Sequence, residues 1–178
     1  MASDRGRGKS VTLERREFLR RSGVGLAALL LGGSAAWAEP REPRFGVDVC
    51  PYCNMTVVDL RFTAQLVTPT GLVHQYDAIE CLADHLAGHG PPAPQAAEIH
   101  LADRAASARE SAAFLAADAA TVLHHPRLRT PMGGGLAAFA TVEAAEAFAA
   151  AQRLSGASLL TWREVVARAQ DAPWVPDY

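Results

Sequence analysis

Hydrophobic and polar positions along this chain fall into two successive cycles of the same kind. In the first, residues 56–58 and 62–68 alternate as strands around Asp59-Leu60-Arg61. Pro69-Thr70-Gly71 then supplies turn chemistry before a returning strand at 72–76. Ile79, Leu82 and Leu86 lie on one stripe of a helix predicted at 78–87. Asp77 is its expected N-cap, Glu80 completes a capping box and Gly88 stops it. After a proline-rich loop at 90–95, residues 98–101 read as a short strand.

The second cycle starts with strands at 121–125 and 136–139. Thr141 caps a helix at 142–153 that Ser155-Gly156 ends, and 158–160 is a strand. Thr161 and Glu164 form another capping box, which opens a last helix at 162–169. Residues 103–117, alanine-rich with a thin apolar face, are predicted partly helical. Each cycle reads strand–strand–helix–strand, and Gly71 through Asp77 matches Gly135 through Thr141 in step. The expected fold is α+β: two small ββαβ units at 49–102 and 120–170, related by internal duplication, in one compact body. A linker at 39–48, a connecting segment at 103–119 and a tail at 171–178 complete the domain plan.

Positions 1–38 read as an address. Seven basic residues precede an apolar run at 24–31, and Ala36-Trp37-Ala38 is a cleavage site. Arg15-Arg16-Glu17-Phe18-Leu19 resembles a twin-arginine export signal. The apolar run is far shorter than the ~18 residues of a spanning helix, and no cysteine near the cleavage site offers a point for lipid attachment. The expectation is a periplasmic protein without a lipid anchor. Of 17 basic and 19 acidic residues, the leader takes seven and three, which leaves ten and 16 and a net charge of −6. That balance argues against nucleic acid or anionic membranes as partners.

Candidate chemistry concentrates in Cys50-Pro51-Tyr52-Cys53-Asn54-Met55. Two thiols and a thioether make a soft donor set, which selects Cu(I) over hard divalent cations. Zinc sites and disulfide exchangers also use Cys-x-x-Cys, so an exported thiol–disulfide oxidoreductase and a structural zinc or disulfide module are alternatives. The nearby methionine, one of only three, favours copper. Extended backbone at 53–55 would aim the Cys53 and Met55 sulfurs to one side. Three cysteines cannot all pair within the chain, so at least one thiol is free, reactive or metal-bound. Cys81, in the first turn of the predicted helix, is either that reactive thiol or a small buried apolar residue.

Thr130-Pro131-Met132-Gly133-Gly134-Gly135 lacks the Lys-Ser/Thr ending of a phosphate loop. Met132 is either a second thioether donor from the other unit or a core residue. None of the six histidines has a metal-ligand spacing with another, and no hydrolase, zinc-protease or paired-carboxylate motif occurs. The chain is therefore not expected to be an enzyme.

Three stretches resemble the NosL family of accessory proteins for nitrous oxide reductase: Cys50 through Met55, Phe62 through Asp77, and Thr130-Pro131-Met132-Gly133 through Phe139. With Trp162-Arg163-Glu164 the likeness covers nearly the whole chain after the leader. The resemblance implies a protein that binds one Cu(I) and delivers copper for the centres of nitrous oxide reductase. It also implies two ββαβ units similar to those of organomercurial lyase. Carried over, Cys53 and Met55 match the family's Cys-x-Met, Cys50 matches those members with both cysteines, and Met132 matches the Met-Gly position. Many members are lipoproteins, from which this chain departs.

Overall fold

In the computed structural model of the chain, residues 40–176 are described, and the export leader expected at 1–38 lies outside them. Strand β1 (Ala64–Val67) pairs antiparallel with β2 (Val73–Tyr76), Ala64 opposite Tyr76. The almost wholly buried helix α1 (Ile79–Leu86) follows. Then β3 (Glu98–Ala102) pairs with the other edge of β1, and β4 (Phe114–Ala116) extends the sheet. The second cycle repeats this plan. Central β5 (Thr121–His124) is flanked by β6 (Leu136–Phe139) and β7 (Ser158–Thr161), with α2 (Val142–Ala151) between the last two in sequence. Helix α3 (Trp162–Asp171) is the last of these elements.

The strand orders β2-β1-β3-β4 and β6-β5-β7 show the same ββαβ arrangement twice, both sheets antiparallel. The α+β architecture read from the sequence is therefore present. Ala78 and Thr141 precede their helices with near-identical backbone angles (φ −142°, ψ 158° and φ −142°, ψ 157°). The structural repeat thus sets Ala78, and not Asp77, against Thr141, one position off the glycine alignment.

A bridge between Asp103 and Ala138, with Arg104 N–H donating to the Ala138 carbonyl at 2.8 Å, connects the two sheets. One apolar core draws on both halves. It includes Leu66, Tyr76 and Leu82 from the first, and Val122, Leu136, Trp162 and Val165 from the second. A smaller cluster around Phe139 and Leu154 lies under α2. Among the described residues no helix is long and apolar enough to cross a membrane.

Three sequence expectations are corrected. Residues 56–58 do not form a strand; Val49 and Thr56 make only an isolated bridge, and loop partners at Asp48 and Gly46 satisfy Val57. The segment at 103–117 is not α-helical, and only Ala117 at its end enters a single 3-10 turn (Ala117–Ala119). Turns lead into β4, because the free edge of β3 offers backbone partners where the thin apolar face offered little. Asp77 and Glu80 do not form a capping box: Ala78 is the N-cap and no side chain caps α1. The Thr141 cap and the Thr161–Glu164 capping box are both formed.

The ends of the described chain are anchored. Arg41 and Arg44 converge on buried Asp48, each with a 2.8 Å ion pair, and the Arg41 carbonyl accepts from Gln65 Nε2. Beyond α3, the Trp174 and Val175 amides donate to the two carboxylate oxygens of Asp84, both at 2.8 Å.

Candidate metal centre

The cysteine loop is a tight turn. Cys50 N–H donates to the Met55 carbonyl at 2.9 Å, and Asn54 N–H donates to the Cys50 carbonyl at 3.0 Å. Asn54 sits at φ +58°, a left-handed conformation that asparagine tolerates better than most residues. The extended backbone needed to aim Cys53 and Met55 sulfurs to one side by alternation is therefore absent. The curl instead directs two thiols inward: Cys50 is wholly buried in the core and Cys53 is half-buried.

Cys81 meets them from α1. Its helix follows the β1–β2 hairpin, with Ile79 N–H donating to the Phe62 carbonyl at 2.9 Å. This fixes the first turn, where Cys81 is fully buried. The sulfurs of Cys50, Cys53 and Cys81 all lie within 4.8 Å of one another. Among the described residues no other set of three histidine, cysteine or carboxylate side chains converges in this way. Three sulfurs about 2.3 Å from one ion would stand about 4 Å apart, so this triad needs little closure to hold a soft metal.

The electrostatics suit a bound cation. The Cys53 and Cys81 thiols hydrogen-bond to Cys50 and hold it far below the usual thiol range, with the backbone N–H groups of Cys53 and Asp77 adding support. Cys53 is pushed up to about 11, first by its bond to Cys50. Cys81 is pushed up as well, by its bonds to Cys50 and Cys53 and then by burial. The triad thus sheds one proton readily and keeps the others until a cation replaces them.

Tyr76 and Asp77 border this cluster. Burial, then the nearby Cys50 charge, pushes Asp77 up to about 6 and raises Tyr76 too. His85 is bound through both ring nitrogens, to the Tyr76 hydroxyl at 3.0 Å and the Pro91 carbonyl at 2.9 Å. Since a carbonyl only accepts, Nε2 carries a proton, and a neutral ring accepts from Tyr76 at Nδ1. The ring of Tyr52 packs 5.7 Å from that of His85.

The sequence-derived candidates thus divide. Cys50, Cys53 and Cys81 come together at one point. Met55 follows in the same loop and is 45% exposed. Met132 is buried in the core cluster that also contains Cys50 and Cys81. The chemical neighbours Tyr76 and Asp77 were missed as site residues; the only sequence signal was their place in the Phe62–Asp77 stretch of family likeness.

A model of the NosL family matches residues 46–169. The chain belongs to the NosL family. The match spans all three cysteines, both candidate methionines and every strand described above. The crystal structure of the copper chaperone NosL from Shewanella denitrificans has the same fold, with a TM-score of 0.60 at 20% identity. The similarity covers 72% of this chain and 96% of that one. A comparison with curated proteins gives no match. In this NosL-family chain Cys81 supplements the loop motif with a third thiol.

Proposed function

We propose that this protein is a Cu(I) carrier that takes up the ion as cargo at Cys50, Cys53 and Cys81. The observation that carries the reading is the convergence of three thiols without a fourth histidine, cysteine or carboxylate among the described residues. A set of few, soft donors suits Cu(I), and a site open to one more ligand can pass its ion on by exchange. Half-buried Cys53 and partly exposed Met55 lie on the solvent side of buried Cys50. In this reading Met55 is the thioether through which the ion enters and leaves. Met132 is a second thioether candidate, held within the shared core.

Family membership and the leader supply the setting. The protein acts in the periplasm after twin-arginine-type export, and its client is nitrous oxide reductase. It is a carrier and not an enzyme. A disulfide oxidoreductase presents its attacking thiol to substrate, whereas here Cys50 and Cys81 are wholly buried and Cys53 is half-buried.

The test is a competitive titration of the reduced protein with Cu(I) against a chromogenic chelator, beside Cys53→Ser and Met55→Leu. One equivalent bound, with affinity lowered in both variants, is the expected result. Full binding by Cys53→Ser would sink the site assignment. Affinity indifferent to Met55→Leu would remove the thioether from the path.

A further inference from the structure

The chain beyond the leader is acidic overall, yet one surface cleft is cationic. It encloses about 410 Å³, and Val58, Arg61, Phe62, Arg109, Arg129 and Thr130 are among its lining residues. Asp59, also in the lining, engages Arg61 through two bonds, Nε to Oδ1 at 2.8 Å and Nη2 to Oδ2 at 2.5 Å. Arg109 donates from Nε to the Val58 carbonyl at 3.3 Å, and its own carbonyl accepts from Leu60 N–H at 2.9 Å. Arg129 is exposed and makes no hydrogen bond or ion pair among the described residues. Arg104 adds a further guanidinium 5.5 Å from the Phe62 ring centre, and its buried Nε has no hydrogen-bond partner. Three guanidiniums therefore line the cleft beside one carboxylate, on which Arg104 also acts from outside the lining. Such a group calls for further anionic oxygens, and the planar guanidinium fork matches a carboxylate.

The cleft adjoins the thiol centre. Val58 N–H faces the Asp77 carboxyl, while Asp77 N–H faces the Cys50 sulfur. Across the cleft, the Thr130 hydroxyl donates to Glu80, the residue before Cys81. The segment that forms the cysteine turn also exposes a run of apolar residues, Val47, Val49, Met55 and Val58. An apolar patch beside a charged one is a common form for a surface that meets another protein.

We propose that the Arg61–Arg109–Arg129 cleft receives the carboxylates of an acidic segment on a protein partner, which brings that partner over the apolar rim beside Cys53. The proposal rests on the carrier reading for the purpose of the encounter, while binding at the cleft needs no metal. Charge complementarity of this kind sets encounter rate and orientation and weakens with salt.

The test titrates the reduced, metal-free full chain with a hexaglutamate peptide, followed by fluorescence anisotropy and backbone amide shifts. Saturable binding is expected, with shifts centred on residues 58–62, Arg109 and Arg129. Arg129→Glu is expected to weaken it about tenfold or more, and raising salt from about 0.02 to about 0.5 M to abolish most of it. The leader's basic residues are common to both proteins, so the difference between them reports the cleft. Arg129→Gln serves as the second variant if charge reversal disturbs folding, with a smaller loss expected. No binding, or equal binding by wild type and both variants, would overturn the proposal. Displacement of the peptide by equimolar inorganic phosphate would also overturn it, showing a small-anion site. Because no copper is present, a failure here leaves the carrier reading standing, and a failed Cu(I) titration leaves the cleft standing.

Discussion

The two ββαβ units share a plan but use their helices differently. With Ala78 set against Thr141, Glu80 corresponds to Glu143, Cys81 to Ala144 and His85 to Phe148. Helix α1 buries seven of its eight residues, whereas α2 buries only Ala145. The same glutamate position therefore has opposite fates. Glu80 is pushed up to about 7 by burial, while exposed Glu143 is lowered by its own backbone N–H and by Thr141. A helix enclosed by both halves can hold polar groups in fixed positions if each finds a partner. Helix α1 does so at each residue, though Glu80 uses only Oε1. That oxygen accepts from Thr130 and Gly134, while Oε2 has no hydrogen-bond partner among the described residues. Asp84 accepts from the C-terminal tail, and His85 binds Tyr76 and Pro91. Enclosure makes one copy of a repeated helix the wall of the thiol cluster, and exposure leaves the other as scaffold.

The largest expected effect breaks the close backbone contact that shuts the second hairpin. Gly135 lies at φ +72°, and a Cβ there would run into the His125 carbonyl oxygen. Gly71, in the turn of the first hairpin, lies at φ +82° with nothing within 4 Å. Gly135→Ala is expected to cost about 4 kcal/mol or more, since backbone clash adds to strain. Gly71→Ala should cost about 1 kcal/mol, from strain alone. Urea unfolding of the pair measures the difference. Similar losses would mean that the second hairpin is less tightly closed than this geometry requires.

Next in size is the asymmetry of chemistry at Cys81 and Ala144. Cys81→Ser is expected to weaken Cu(I) binding by more than about a hundredfold, because loss of an outer partner alone costs about 10–100-fold. Ala144→Cys, at the corresponding place in α2, should leave the affinity unchanged, since no second thiol is near it. Chelator competition on both variants decides the matter. Retained affinity in Cys81→Ser would reduce the centre to its loop motif.

Much of this contrast was legible in the sequence, and the remainder was not for definable reasons. Thr141, Thr161 and Glu164 act locally, so their caps could be read from adjacent residues and are formed as expected. Asp77 and Glu80 have the same local pattern, but burial directs Glu80 toward Thr130, in a distant loop of the other unit. The convergence of Cys81 with Cys50 and Cys53 depends on how the first hairpin docks α1 against the turn, which no local spacing encodes. The odd cysteine count and the place of Cys81 in a predicted helix nevertheless marked it as a candidate. The curl at Asn54 was missed because asparagine at a positive φ resembles any polar residue in an alternating stretch. The arginine cleft draws on three separated segments and leaves no motif at all.

The glutamate pair gives an intermediate effect with opposite signs. Folding raises Glu80 from 4.5 to about 7, so the folded state holds the proton more tightly than the unfolded state. Its stabilising contribution is complete below pH 4.5 and is lost as pH rises through about 7. Glu143 is lowered, so its contribution is present above 4.5 and lost as pH falls. Glu80→Gln is therefore expected to flatten the fall in stability between pH 4.5 and 7, by about 2–3 kcal/mol across the window. Asp77, raised for the same reason of burial, keeps part of the slope in place. Glu143→Gln should leave that slope unchanged. Stability curves at several pH values check both, and an unaltered slope in Glu80→Gln would show that its carboxyl does not titrate in this range.

The smallest effect tests whether the two helices depend on different sources of stability. Thr141 accepts from Ala144 N–H at 3.2 Å, so Thr141→Ala should cost about 1 kcal/mol. The corresponding Ala78 has no side chain to lose, and α1 is held instead by its buried faces and by the Ile79 bond to Phe62. The loss in Thr141→Ala should therefore remain local to α2, visible as faster amide exchange there, with Cu(I) affinity unchanged. If weakening the cap also loosened α1 or its thiol, the two helices would form one cooperative unit. The division between scaffold and thiol wall would then describe their chemistry but not their stability.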